Sequence, residues 1–282
     1  MEVLQLAESA YGPSVAFDGE DLLVFGRDAW FRVAPGREPV RHEGATGPVR
    51  AWVGDALVYW EAGKLRRLST RCSGAKCGAG QLLLELARQP EWLAGAGERL
   101  AWIERDEGGT YRIRSLRAGR GRQIHESSER LVGLATIGNG VFFVEDSRDG
   151  WRIGAVSLDG GEPRYTALRS GRAPAGLIGR DDLFFYDGPT RSVHRLGPDF
   201  VVDERLAEKL VCSPLAVADS VICAQVGGLV AVPTSGGEAR QLISGQTGHI
   251  TALAANGTHV AWIGEAGEAR AVVRVLDLRP TQ

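Results

Sequence analysis

Most of the features that announce a function are missing from this sequence. No run of apolar residues approaches the roughly 20 needed to cross a bilayer as a helix, so no membrane-spanning segment is expected. The opening residues, MEVLQLAESA, contain no basic segment followed by an apolar one and do not read as a signal peptide. Either the protein is cytosolic, or a leader has been removed and a Met put in its place. There is no Gly-x-Ser-x-Gly elbow, P-loop, dinucleotide fingerprint or EF-hand loop. The net charge is −2, the pI is about 6.2, and the arginines are interspersed with acids. A nucleic-acid backbone demands a clustered positive field, so no nucleic-acid partner is expected. Helical periodicity is nearly absent. One short stretch, VVDERLAEKL at 201–210, spaces Val202, Leu206 and Leu210 by four, and either a helical turn or an outer strand fits it.

What the chain does have is glycine, 38 residues of it, and a repeat. An apolar strand, a small turn and a second strand with an aromatic recur as SVAFDGEDLLVFG at 14–26, VRAWVGDALVYWE at 49–61 and WLAGAGERLAWIE at 92–104. Further copies are LVGLATIGNGVFFVE at 131–145, AGLIGRDDLFFYD at 175–187, LAVADSVICAQ at 215–225 and TALAANGTHVAWIG at 251–264. Aligned on the second strand they give one column: Phe25, Tyr59, Trp102, Phe143, Phe185, Cys223 and Trp262. The steps are 34, 43, 41, 42, 38 and 39 residues. A mean near 40 is the period of a four-stranded propeller blade.

The second half of each unit agrees. SLDGGEPRYTA at 157–167 and PTSGGEARQLI at 233–243 share a Gly-Gly-Glu turn, where glycine supplies the positive φ of a tight hairpin. Pro13, Pro48, Pro90, Pro174 and Pro214 precede first strands, a place that needs no N–H donor. In TYRIRSL at 110–116, Tyr111, Ile113 and Ser115 alternate with Arg112, Arg114 and Leu116, the period of a strand.

The last unit has only three strands, and LQLAESAYGPSVAF at 4–17 parallels RQLISGQTGHITALA at 240–254. Val3 to Ala7 should therefore supply the outer strand of the last blade, beside Arg270 to Leu278. The expected fold is all-β: one seven-bladed β-propeller of four-stranded antiparallel blades, closed by the N-terminal strand. It would occupy 1–282, with blades near 10–45, 46–88, 89–128, 129–169, 170–207, 208–245 and 246–282. Six blades would result if units five and six merged.

The segment GLVAVPTSGGEARQLISGQTGHITALAANGTHVAWIG at 228–264 resembles YWTD-type and TolB-like propeller repeats. It is most similar to the propellers of secreted proteins and lipoproteins of myxobacterial type, which implies a bacterial, exported protein. The likeness concerns architecture. The Tyr-Trp pair appears once, as Tyr59-Trp60, and Glu61 follows it. SRDGW at 147–151 is only an echo of a sialidase-like box and reads as a hairpin turn matching RDEGGTY at 105–111.

The four cysteines form two local pairs. Cys72 and Cys77 lie in one turn. Cys212 and Cys223 flank a hairpin centred near Asp219, where facing residues should have numbers summing to about 438, and theirs sum to 435. Both pairs can be disulfides, which would put the protein in the periplasm or outside the cell; reduced thiols would return it to the cytoplasm. The pairs belong to non-adjacent blades, so they are not expected to share a zinc ion.

Propellers carry functional groups on loops at the mouths of the central channel. The residues entering the inner strands include Arg50, Glu91, Trp92, Arg130, Arg172 and His249, a candidate polar ring or simply a solvated loop face. Trp92 reads equally well as an interface anchor or as a core residue packed between blades two and three. Of the five histidines, His42, His125 and His194 fall on outer strands, His259 opens a second strand, and only His249 reaches the inter-blade face. One histidine does not make a metal site, so no metal and no cofactor are expected. The reading that follows is a monomeric, non-catalytic module for binding a protein or a glycan. The alternatives are a lyase or hydrolase at the channel mouth, or a binder of a small ligand or ion there.

Overall fold

The computed structural model describes residues 2–7, 14–26, 29–43, 50–53, 56–69, 80–117, 119–174, 176–213, 215–245, 249–265 and 270–279. Among the described residues there are 28 strands and no helix, arranged as seven four-stranded antiparallel sheets. The fold is a seven-bladed β-propeller. The first strands of the blades are Ser14–Asp18, Arg50–Val53, Trp92–Ala96, Arg130–Ile137, Leu177–Gly179, Leu215–Val217 and Ile250–Ala255. Six sheets follow chain order. The seventh takes its outer strand from Glu2–Ala7, which pairs antiparallel with Arg270–Asp277 and sets Gln5 opposite Val272 and Leu6 opposite Ala271. The stretch 201–210 contains the strand Asp203–Ala207 and no helical turn.

The blades pack as two compact units. One comprises blades two to five, Val49–Arg71 and Ala79–Glu204; the other comprises blades six, seven and one, Met1–Pro48 and Arg205 onwards. Within the larger unit, apolar side chains of neighbouring blades interleave. Val53, Val58 and Leu65 of blade two meet Leu93, Leu100 and Trp102 of blade three. Ile103, Tyr111 and Ile113 of blade three meet Leu131, Val141 and Phe143 of blade four. Trp151 and Ile153 of blade four meet Leu177, Leu183 and Phe185 of blade five. In the other unit Ile222 and Leu229 meet Val260 and Trp262, and Val15 and Val24 meet Ala261 and Val273.

The aligned column is the centre of this packing: all seven of its residues are buried. Six are aromatic. In blade six the position is Cys223, opposite Leu215 in the ladder, and its sulfur bonds to the buried Cys212. That ladder has the register expected of its turn, with Leu215, Ala216 and Val217 opposite Cys223, Ile222 and Val221. Where the other blades place a ring, blade six places a crosslink. Cys72 and Cys77 lie outside the described residues.

Candidate functional site

In the larger unit the first strands of successive blades lie side by side and run parallel. A methyl group placed on Gly133 would sit 3.5 Å from Leu177 N, and one on Gly179 would sit 2.8 Å from Thr136 O. Residues 133 and 136 thus face 177 and 179, and both numbers rise together. Gly95 makes the closest approach: a Cβ there would lie 1.8 Å from Trp52 O. Thr136 Oγ1 donates to Gly95 O at 2.6 Å, tying blade four to blade three. Parallel strands bring their starting ends to one margin of the unit, called here the leading edge; the opposite margin is the trailing edge.

Five of the six sequence candidates stand at this leading edge. Arg50 opens its strand opposite Tyr59 and is largely buried, which brings its guanidinium pKa down to about 10. Glu91 is exposed and its N–H donates to Ile103 O at 2.8 Å. Arg130 opens its strand opposite Asp146 and stands 4.0 Å from that carboxylate, well exposed. Arg172 is exposed in the loop before Leu177–Gly179. Trp92 pairs with Ile103 and is partly buried against the cluster shared by blades three and four, not packed between blades two and three, one of the two readings its sequence left open. The reason is the pleat. Trp92 and Ala94 point to one face of their strand and pack with blade four, whereas Leu93 points to the other face and packs with blade two. His249 is exposed just before Ile250–Ala255, in the other unit.

Three histidines serve the core. His42 stacks on Trp30 (4.0 Å between centroids), His125 on Phe143 (4.8 Å) and His194 on Phe185 (5.0 Å). Burial, first of all, lowers the pKa of each, so the neutral imidazole is favoured in the folded state. Among the described residues His42 finds no hydrogen-bond partner for either ring nitrogen.

One constellation was invisible in the sequence. Ser192 Oγ lies 2.9 Å from His194 Nε2, and His194 Nδ1 lies 3.6 Å from Asp203 Oδ1. Serine, histidine and aspartate in that order are the parts of an activated nucleophile. Here the serine has no exposed surface, and its hydroxyl also meets Thr190, which donates to Asp187 Oδ2 at 2.6 Å. Arg169 pairs with Asp203 and covers the rings of Trp151 and Phe185. No substrate can reach Ser192 through that packing, so the chain of contacts joins strands instead of attacking bonds. Ser192 and His194 share a strand face, which alternation allows; Asp203 joins them only through the neighbouring strand. A second buried carboxylate, Glu145, receives Arg152 Nε at 2.7 Å and Ser127 Oγ at 3.0 Å, and its charge is matched within blades three and four. Among the described residues no three His, Cys, Asp or Glu side chains converge as a metal site would require.

No protein-family model matches the chain, and no curated protein does. Solved structures do. An oligogalacturonate lyase in complex with manganese superposes with a TM-score of 0.73 at 13% identity, covering 98% of this chain and 91% of that one. The β-propeller domain of Cps50 (Swd1) from Myceliophteria thermophila gives 0.66 at 10% identity, over 96% and 99%. A nidogen/laminin complex gives 0.57 at 16% identity, over 79% and 89%. At these identities the likeness is one of fold.

Proposed function

We propose that this protein is a binding module whose propeller presents its leading edge to a protein or glycan partner. The observation that carries the reading is the convergence of Arg50, Glu91, Trp92, Arg130 and Arg172 along one margin of consecutive parallel strands. Arginine and tryptophan dominate the energetics of interfaces, and these come from four different blades, so a partner would be read by the fold and not by one loop. Propellers of similar fold occur in a nidogen/laminin complex, which is in keeping with such a use. The Cys212–Cys223 disulfide suits an oxidising compartment, and with the resemblance of the repeats to YWTD-type and TolB-like propellers it favours a periplasmic or extracellular bacterial protein.

Because Trp92 packs partly into the core, its replacement tests stability more than recognition: Trp92→Ala should cost about 2 kcal/mol, roughly half the penalty of a fully buried aromatic. The exposed Arg130 and Arg172 are the better probes. A photo-crosslinking residue at position 172 should capture a partner in an extract of the native host. Arg130→Gln should abolish that capture with little change in the melting temperature, since it removes the exposed charge without setting a like charge opposite Asp146. Capture that survives this change would remove the leading edge from consideration. A melting shift of several degrees with manganese or calcium would favour the rival readings, a channel-mouth enzyme or ion binder.

A further inference from the structure

An arginine-rich part of the chain, Arg117, Arg120 and Arg122, lies at the opposite margin of the same unit. Strands Tyr111–Arg117 and Arg120–Ser127 pair so that Arg117 faces Arg120 and Ser115 faces Arg122. On the other side of Tyr111–Arg117 runs Arg99–Arg105, with Ala101 opposite Ser115. Two residues further along, the same register sets Arg99 beside Arg117. Arg99, Arg117 and Arg120 therefore form a row across three adjacent strands, about 4.8 Å from one to the next. Like charges directly opposite each other destabilise a sheet, so this row works against folding unless something anionic meets it.

The structure supplies one such group. Asp159, from the loop of blade four, receives Arg99 Nη2 at 2.8 Å and Asn139 Nδ2 at 3.2 Å, with Arg117 Nη1 at 3.4 Å. Arg122 reaches the same loop: a methyl group on Gly160 would lie 3.6 Å from its Nη2. The neighbouring acid, Glu98, pairs with Arg67 at 3.0 Å. Two guanidinium groups, those of Arg99 and Arg117, thus hold one carboxylate, Arg122 stands at the same loop, and Arg117 keeps 62% of its side chain exposed. Gly121, between Arg120 and Arg122, points to the other face of its strand and packs against Leu84 of blade two, whereas Ser115, opposite Arg122, donates its hydroxyl to Leu158 O of blade four; the arginines of the row therefore share the face turned toward blade four.

We propose that this trailing-edge patch docks a short acidic peptide segment of a protein partner, its carboxylates seated on Arg117, Arg120 and Arg122 beside Asp159. Asp159 already shows how this row takes a carboxylate. Arginine's planar fork suits that group, and the charge-assisted bonds are the strong kind. A nucleic acid or a sulfated polysaccharide fits less well. The whole chain carries a net charge of −2 with acids spread among its bases, so a long polyanion leaving the patch would meet carboxylates. This surface is separate from the leading edge, and either can fail alone.

The test uses the full chain and a fluorescein-labelled peptide of six glutamates, followed by anisotropy at low salt. The wild type should bind it, and Arg117→Gln with Arg120→Gln should weaken binding by about tenfold or more. Arg130→Gln with Arg172→Gln, on the opposite margin, should weaken binding far less than the trailing-edge pair does. Arg120→Glu gives the sharper pattern. It places an opposite charge across from Arg117, so the melting temperature should rise while the peptide is lost. The proposal is overturned if the wild type does not bind the peptide, if the trailing-edge glutamine pair binds it as well as the wild type, or if a heparin hexasaccharide or an oligothymidylate binds the patch more tightly than the peptide.

Discussion

Blade six should be the place where the fold is most sensitive to reduction. Cys212 and Cys223 close a loop with a sequence separation of 11, and both are buried. Loop-closure entropy for that separation is worth about 2.8 kcal/mol at 25 °C. In this protein the bond also fills the position where six other blades bury an aromatic ring, so its loss leaves two small side chains in a site built for a large one. A total of about 3–4 kcal/mol is expected once that underpacking is added. For a chain of this size each kilocalorie moves the melting temperature by about 2–4 °C, so a drop of about 6–16 °C should follow. The assay is thermal unfolding by circular dichroism of Cys212→Ala with Cys223→Ala, in a background of Cys72→Ser and Cys77→Ser so that only this pair is read. Chemical reduction of the parent in the same background should reproduce the drop. A change below about 2 °C in both would show that the strands of blade six hold their register without the crosslink, and that the column position there needs no filling.

The stacked histidines predict a pH profile. His42, His125 and His194 all have pKa values lowered by burial, so below the unfolded value of about 6.5 the unfolded chain binds more protons than the folded one. Stability is then fully present above pH 6.5 and is lost as the pH falls from there through the lowered folded values; urea midpoints at pH 7.5 and 5.5 measure it, and equal midpoints would contradict it. His194→Gln should flatten part of that fall. At Gly95 even a methyl group lacks room, since it would lie 1.8 Å from Trp52 O and 2.7 Å from Val53 Cγ2. Gly95→Ala should therefore cost about 3 kcal/mol or prevent folding, and a wild-type melting curve would mean that the first strands of blades two and three are not in contact.

The sequence by itself determined the blades, because each blade is a local meander. Alternation, turn glycines and a period near 40 act within one unit, and the ladder of 215–217 with 221–223 follows from its turn alone. Even the closing strand was legible, since Glu2–Ala7 repeats the pattern of an outer strand. What lay beyond the sequence was every relation between blades. Trp92 faces blade four because of the pleat of its strand, and no local pattern says which neighbour fills that side. Ser192, His194 and Asp203 become one chain of contacts only when the third and fourth strands of blade five pair. The arginine row was scattered through a mixed-charge sequence until the register across three strands lined it up, and Asp159 answers Arg117 from 42 residues away because the next blade's loop comes back beside it. Local chemistry is written in neighbouring residues, but the company a side chain keeps is decided by packing.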